Sequence, residues 1–585
     1  MSGLIYSLGL NAGLQFDDEA NLQGLANIHD FDSAVSFIFN GVAGPLGRPL
    51  ALLSFAPQYY AWPHSPELMT GWNICLHLLN GSLVTWLALR LSAITSLNSS
   101  QQPVSIAVLT GALWLLSPLL VSSSLLIIQR MTTLSALFVF AGLLCYLCIR
   151  LRAVNKPEHH IISLGLVVVV FTCLAAFTKE NGILFPLYIL VIEITLLAVS
   201  RYRSVHRIWK AWQAVFLYLP LLIIIFYLIT RVPYHENVVL QRDFTVPSRL
   251  AAQGYIIWTY LFRAFFPTPS ALGPFQDVVW QLEPDRIPLG LVLFAGVLII
   301  AGAAVCYRKR YPLLAFAVLW YLLGHILEST TIPLELYFEH RNYVPLVGPF
   351  FAFVVSLVSV QQSKKMLRFF IIAYLALMAG VTSMETSLWG QPLLAAEMWA
   401  LDNPKSVRAS LQLAKQLEKE NDLSSALHAL DRFNADNPIS IGLQIQAVKV
   451  ACVIDPEGDH AERLSRLVVN APHTRYESWA SEQPEHLHAW LLKHACKGID
   501  FNTVDLIANL MINHDRYSTN RIVLHNLYAL KAIIAWQNDN IAQSFDYFDT
   551  ALSRHINQTT LQTSLMLAYQ FKQQQFIDKW LEHAQ

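Results

Sequence analysis

Ten apolar stretches follow one another along the first two thirds of the chain, near residues 72–94, 104–127, 131–150, 161–178, 183–199, 211–229, 288–306, 312–328, 343–361 and 366–385. A helix that crosses a bilayer needs about 20 mostly apolar residues, and these stretches match that length. They predict an all-α, polytopic membrane domain over residues 1–388. Ala251 to Phe266 is also apolar and aromatic, but Pro267 to Pro288 behind it lacks the basic excess of a cytoplasmic loop, so it reads as an interfacial or re-entrant helix on the outer side. Met1 to Leu14 is a short first span: about 14 residues make roughly 21 Å of helix against a hydrocarbon thickness of about 30 Å. Either that span is clipped or the true start lies upstream, and without a basic n-region or a small-residue cleavage pattern it does not read as a cleaved signal peptide. Counting it gives about 11 spans.

From about residue 389 the pattern changes to that of polar-faced helices. Leu413, Ala414, Leu417, Ala426, Leu430, Phe433 and Pro438 sit at the spacing of a tetratricopeptide unit, and Ser544, Phe548, Ala551 and Leu552 echo its second half. Residues 440–525 keep no such period. The expectation is a second domain, 389–585, stacked as a TPR-like α-solenoid, because single helical repeats cannot bury their own faces.

Composition agrees with this division. Hydrophobic residues make up 54% of the 585 and charged residues 14%, which places the chain in the membrane class. Lys plus Arg equals Asp plus Glu at 40 each, so net charge gives no reason to expect a nucleic-acid partner. Local charge is more informative. Arg150, Arg152 and Lys156, then Arg201, Arg203, Arg207 and Lys210, then Arg308, Lys309 and Arg310, then Lys364, Lys365 and Arg368 all fall on one side if each span crosses once. The positive-inside rule makes that side cytoplasmic, which puts residues 17–19 and the whole of 389–585 on the other. Cys75, Cys145, Cys148, Cys173 and Cys306 lie in spans as small apolar residues, while Cys452 and Cys496 could pair in an oxidising compartment.

The candidate chemistry clusters on that outer side. Phe16-Asp17-Asp18-Glu19 precedes a predicted helix from Glu19 to about Phe39, and carboxylates where membrane meets water are costly unless they act or cap. Arg48 in Gly47-Arg48-Pro49-Leu50, Arg130 in Gln129-Arg130-Met131, Lys179 in Thr178-Lys179-Glu180-Asn181-Gly182, and Arg341 in Glu335 to Tyr343 each put a cation at the same boundary. Such cations either snorkel or surround a phosphate, and four on the side that should be depleted of them favour the phosphate. Asn73, His77 and Asn80 share one helical face and are expected to bridge neighbouring helices. No Gly-rich phosphate loop or Ser-His-Asp arrangement stands out in the sequence.

Phe16-Asp17-Asp18, Arg48-Pro49-Leu50, the Asn73 to Asn80 span, Pro118 to Arg130, Lys179-Glu180-Asn181-Gly182 and Tyr343-Val344-Pro345 occur in the order seen in membrane glycosyltransferases of the GT-C superfamily. Over about residues 15–350 the chain resembles the transmembrane, tetratricopeptide-containing O-mannosyltransferase-like group and bacterial pilin and protein glycosyltransferases, although most of the first span of that family is missing. The resemblance implies an inverting transfer of sugar from a polyprenyl-phosphate donor to a hydroxyl of an acceptor protein, type IV pilin being one such acceptor. It also implies a bacterial inner-membrane location with a periplasmic C-terminal domain. Asp17 would be the general base, with Asp18 or Glu19 orienting it or holding a divalent metal ion; Asp18 becomes the base if the motif aligns the other way. Arg48, Arg130, Lys179, His340 and Arg341 would bind the donor phosphate, with Glu180 fixing the lysine. The residues suit those tasks, since a carboxylate at a partly desolvated interface is poised as a base and fixed cations act more strongly where water is excluded. Two other classes share the layout. A lipid or glycan transporter would carry charge near the bilayer midplane, and a lipid-linked glycan polymerase or ligase would differ in its acceptor.

Overall fold

The structure is a computed structural model that describes residues 1–15, 17–41, 44–95, 103–152, 157–204, 206–232, 244–268, 272–276, 278–359 and 364–584; Phe16 and Lys156 lie outside these. Regular structure among the described residues is helical, apart from an isolated bridge between Cys496 and Ile499. The chain divides into two compact units, one reaching Asp402 and one beginning at Asn403. The first therefore runs past residue 388, because the Pro392–Asp402 helix turns back on it and sets Trp399 edge-on to Trp389, with ring centroids 5.0 Å apart.

Among the described residues, six helices of the first unit are long and apolar enough to cross a membrane: Pro66–Ile94, Ile127–Arg152, Glu180–Val199, Arg207–Thr230, Pro284–Tyr307 and Lys365–Trp389. The bent pair Pro103–Leu115 and Pro118–Leu125 makes a seventh if counted as one. The shorter apolar helices Ile161–Ala176, Pro312–Gly324 and Val347–Val358 stand where three further spans were expected.

Several departures from the predicted helices have local causes. The stretch 104–127 is not one straight helix: Ser117, extended at φ −75° and ψ 117°, precedes Pro118, and the two helices it separates diverge by 59°. A residue before proline is driven out of the α region, so the break is written in the sequence. A π turn at Ala214–Tyr218 comes just before Pro220, which has no N–H to donate. The predicted helix from Glu19 to Phe39 is likewise in pieces, Asp18–Leu22, a 3₁₀ turn at Gln23–Asn27, and Phe31–Phe39. Asp30 causes the restart by accepting the Ser33 N–H at 2.7 Å in a reciprocal capping box.

The Val246–Phe265 helix lies along the 328–338 loop. Arg249 donates to the carbonyls of Glu328 at 2.7 Å and Thr330 at 2.8 Å, Gln253 to that of Leu336 at 2.8 Å, and the Tyr260 hydroxyl to that of Phe338 at 2.9 Å. These donors satisfy loop carbonyls that have no helix to bond within.

The second unit contains three helix hairpins with the same turn. Asn421, Asp539 and Lys572 adopt φ of 60°, 58° and 54°. In each, the next residue donates back across the turn at 2.9 Å, Asp422 to Leu417, Asn540 to Ala535 and Gln573 to Ala568. This is the Schellman closure, and it reverses the chain tightly enough for the paired helices to pack. Ala414, Leu417, Ala426, Leu430 and Phe433 are buried in the first hairpin, Ser544, Phe548, Ala551 and Leu552 in the second. Residues 440–525 form helices around a separate core, and Cys452 and Cys496 are joined as a disulfide there, with Cα atoms 5.6 Å apart.

Arg150, counted above among the inner-side charges, is fully buried. It donates to Glu193 at 2.8 Å and to the Tyr202 carbonyl at 2.7 Å, while the Tyr146 hydroxyl donates to the same Glu193 oxygen at 2.8 Å. Removing one member of such a pair strands the other. Arg150→Met should destabilise the first unit by about 3–5 kcal/mol, and Arg150→Met combined with Glu193→Leu should recover most of it. Thermal unfolding in detergent measures both; an unchanged midpoint for the single variant counts against a stabilising pair.

Candidate functional site

The bent pair ends at Leu126, extended at φ −70° and ψ 121°, and a 3₁₀ turn at Ile127–Gln129 leads into the Arg130–Arg152 helix. A buried backbone break needs partners for its polar groups, and here they arrive from elsewhere in the chain. The Asn73 amide donates to the carbonyls of Leu126 at 3.1 Å and Ile127 at 3.0 Å. The Ile128 N–H donates to Asp18 Oδ1 at 2.7 Å. Arg48 reaches Met131 Sδ at 3.1 Å, the Lys179 ammonium donates to Thr132 Oγ1 at 2.8 Å, and the Asn80 amide donates to the Thr133 carbonyl at 2.8 Å. Thr132 in turn donates to Gln129 Oε1 at 2.7 Å. Residues 126–133 thus connect the acidic loop to two of the predicted cations.

Asp18 is buried, and its second oxygen accepts the Gln15 N–H at 2.9 Å. Burial pushes its carboxyl up to about 7, against the pull of these N–H groups. It is neither a helix cap nor open to a partner: it fastens the loop to the junction. Asp17 and Glu19 beside it are exposed. Asp18 does not suit a metal ion, since both oxygens already accept backbone N–H groups. The grouping of three potential metal ligands found among the described residues is Cys452, His460 and Cys496, whose sulfurs form the disulfide.

Arg130 is engaged with protein acceptors, donating to Asn73 Oδ1 at 2.7 Å, the Ser54 carbonyl at 2.9 Å and the Met69 carbonyl at 3.0 Å, with its guanidinium 4.1 Å over the Phe55 ring. It braces the junction. Arg48 sits in the left-handed region at φ 53°, a conformation costing a non-glycine residue roughly 1–2 kcal/mol, and Glu180 holds it there through bonds of 2.8 and 3.1 Å. Gly44 makes that contact possible, because a Cβ there would lie 1.9 Å from Glu180 Oε1. Gly182, at the end of the Lys-Glu-Asn-Gly turn, lets the turn close on the preceding helix; a Cβ would meet the Ala175 carbonyl carbon at 2.2 Å.

Lys179, His340 and Arg341 line one cavity of 30 Å³ together with Thr132, Asn181 and Gly324. That volume holds a water or two and is too small for a phosphate group. Burial pushes the Lys179 ammonium down to about 8, with Glu328 opposing the shift. Arg341 lies 3.6 Å from Glu328 and donates to the carbonyls of Leu336 at 2.8 Å and Glu335 at 2.6 Å. Burial beside Lys179, Arg341 and Arg48 holds His340 well below the usual imidazole range, hence neutral. Among the described residues around Lys179, the cations Arg48, Lys179 and Arg341 face the carboxylates Glu180 and Glu328, three positive groups against two negative.

Glu328 and Glu339 belong to this region and were not singled out from the sequence. Glu328 faces Lys179, Arg341 and the Asn181 amide. Glu339 accepts the Gly273 N–H at 2.9 Å and is pushed up to about 8 by burial and by Glu385. The signal for Glu328 was present: it is a carboxylate at the end of an apolar stretch, as Asp17 is. Asn73, His77 and Asn80 act as expected bridges, His77 Nδ1 lying 2.9 Å from the Tyr343 hydroxyl, to which Asn80 donates at 3.2 Å.

The fold and this junction define an all-helical membrane protein with a buried, net-cationic cluster beside an acidic loop. No family model, curated protein or solved structure matches the chain.

Asp18→Asn replaces one acceptor by an NH₂ group and sets it against a buried backbone N–H. The expected cost is about 1–3 kcal/mol, with release of the 17–30 loop. Limited proteolysis reads the release. Unchanged cleavage and an unchanged unfolding midpoint would show that the loop is held by other contacts.

Proposed function

We propose that the protein is an inverting membrane glycosyltransferase that moves a sugar from a polyprenyl-phosphate donor to a hydroxyl of an acceptor protein, with pilin as one candidate. The observation that carries this reading is the junction at 126–133, which ties an exposed carboxylate loop and an over-positive buried cluster to one short segment. Asp17 takes the acceptor's hydroxyl proton, the oxygen attacks the anomeric carbon, and the bond to phosphate breaks, so that polyprenyl phosphate leaves with the electron pair. Asp18 positions Asp17 through its grip on Ile128, and Glu19 is the remaining carboxylate able to orient the acceptor. Arg48, Lys179 and Arg341 receive the leaving phosphate, with neutral His340 as a hydrogen-bonding neighbour and Glu180 and Glu328 orienting the cations. Phosphate entry requires the small cavity to widen.

The topology that accompanies this reading has 11 crossings, with the acidic loop and the second unit in the periplasm of a bacterial inner membrane. The Cys452–Cys496 disulfide suits an oxidising compartment. The three alike hairpin turns, two of them at Asp539 and Lys572 about 33 positions apart, suit tetratricopeptide-like stacking with a concave face for the acceptor.

Incubation of the purified protein with a panel of polyprenyl-phosphate sugars should release polyprenyl phosphate from one of them. Asp17→Asn should lower that turnover by roughly two to four orders of magnitude while leaving the fold intact. No release from any donor, or full turnover by Asp17→Asn with loss in a folded Glu19→Gln, would overturn the reaction or the choice of base respectively.

Lys179→Glu and Arg341→Glu should weaken donor binding far more than acceptor binding, since an anion loses its partner and meets a like charge at low dielectric. In the wild type, donor affinity should decline as pH rises through about 8, where Lys179 gives up its proton. Separate titrations of donor and acceptor check both; a loss confined to the acceptor rules out a phosphate-binding role.

A further inference from the structure

The helices Val246–Phe265, Ile287–Tyr307, Pro312–Gly324 and Val347–Val358 enclose a groove of 620 Å³, within the size range of ligand sites. Its walls are apolar, including Trp258, Leu261, Ile300, Leu314 and Phe353. Leu314, Ile300 and Trp258 are 63%, 39% and 38% exposed, so the groove opens to the outer surface of the helical unit. In a membrane that surface faces lipid.

One charged residue lines the groove. Arg310 stands at its mouth beside Tyr311, its guanidinium 5.4 Å from that ring, and it pairs with no carboxylate among the described residues. Arg308 and Lys309 precede it. Ser356 adds a hydroxyl at the same end: the Val347–Val358 helix starts near Gly324, where Pro345 touches it, and Ser356 lies toward its far end. An apolar slot that ends in an unpaired guanidinium and a hydroxyl matches an acyl chain carrying an anionic headgroup.

The Pro312–Gly324 helix separates this mouth from the candidate site. Gly324 lines the cavity of Lys179 and Arg341, whereas Pro312 is next to Arg310 in the groove. A helix of that length sets its ends roughly 18 Å apart, so one phosphate cannot serve both. We infer that the groove holds an acyl chain of an anionic phospholipid from the opposite leaflet, with its phosphate on Arg310, as a resident lipid distinct from any lipid bound at the candidate site.

The test uses the full chain, stripped of lipid in detergent, with added phosphatidylglycerol or phosphatidylcholine. Phosphatidylglycerol should raise the unfolding midpoint by roughly 3 °C or more beyond phosphatidylcholine. Arg310→Gln should erase that preference, and Ala352→Trp, which fills the groove, should erase the response to both lipids. Native mass spectrometry gives an independent reading that does not rely on the bulky variant: phosphatidylglycerol should be retained by the wild type and lost from Arg310→Gln. Equal stabilisation by the two lipids, or a preference that survives Arg310→Gln, overturns the proposal. So does displacement of bound phosphatidylglycerol by undecaprenyl phosphate, which would assign the groove to a donor. These outcomes do not depend on transferase activity.

Discussion

The bond from the Ile128 N–H to Asp18 is the contact around which the rest of the site is arranged. Leu126 is extended between the Val121–Leu125 helix and the 3₁₀ turn at Ile127–Gln129, which leaves buried backbone groups at 126–128 in need of partners from outside the helix. Asn73 and Asp18 supply them, each from a segment distant in sequence, and Asn80 adds a bond to the Thr133 carbonyl. Because those partners are fixed, so are the side chains beside them: Arg130 on Asn73, Thr132 between Gln129 and Lys179, and Met131 under Arg48. A single broken helix therefore sets the relative positions of the acidic loop and part of the cationic cluster.

The same constraint explains why candidate residues of one chemical type have different roles. Arg130 and Arg48 are both outer-rim arginines in the sequence, yet Arg130 is enclosed by main-chain acceptors while Arg48 keeps a half-buried carboxylate partner and a left-handed backbone. Strain of that kind persists only where surrounding contacts enforce it, and here Glu180 and the bare backbone of Gly44 do so. Asp17 and Asp18 divide in the same way. The buried neighbour anchors the loop, and the other stands at the surface.

Much of the helical layout was legible in the sequence because apolar length is a strong signal. Each predicted stretch from 72 to 385 coincides with an apolar helix or a broken pair. The helical faces carrying Asn73, His77 and Asn80 gave their bridging role directly. What was not legible is pairing across the chain. Nothing near Asp18 announces Ile128, 110 positions away, and nothing near Lys179 announces Glu328. The continuous helix expected after Glu19 failed because Asp30 and Ser33 form a stronger local cap than the apolar pattern suggests. In the second unit the spacing of apolar residues revealed one hairpin and half of another, whereas the shared turn at Asn421, Asp539 and Lys572 is a backbone property that three different side chains conceal.

The 30 Å³ cavity is lined by buried charges that need partners. Lys179 and Arg341 are buried, and a buried cation without a partner is costly, so Glu328 stands between them. Under the proposed function, an incoming anion would compete with a carboxylate already in place, and its net gain would be the difference between the two partners. Displacing Glu328 outright would exchange one buried charge problem for another. Widening the site so that anion and carboxylate share the cations avoids this, and the one positive charge in excess makes sharing favourable. The 335–341 segment is the element whose movement would achieve it, because Arg341 closes that segment onto its own carbonyls and carries His340 with it along the cavity wall. Under the proposed function, binding and opening would be one event, and selectivity would rest on whether a ligand brings enough negative charge to share Lys179 and Arg341 with Glu328.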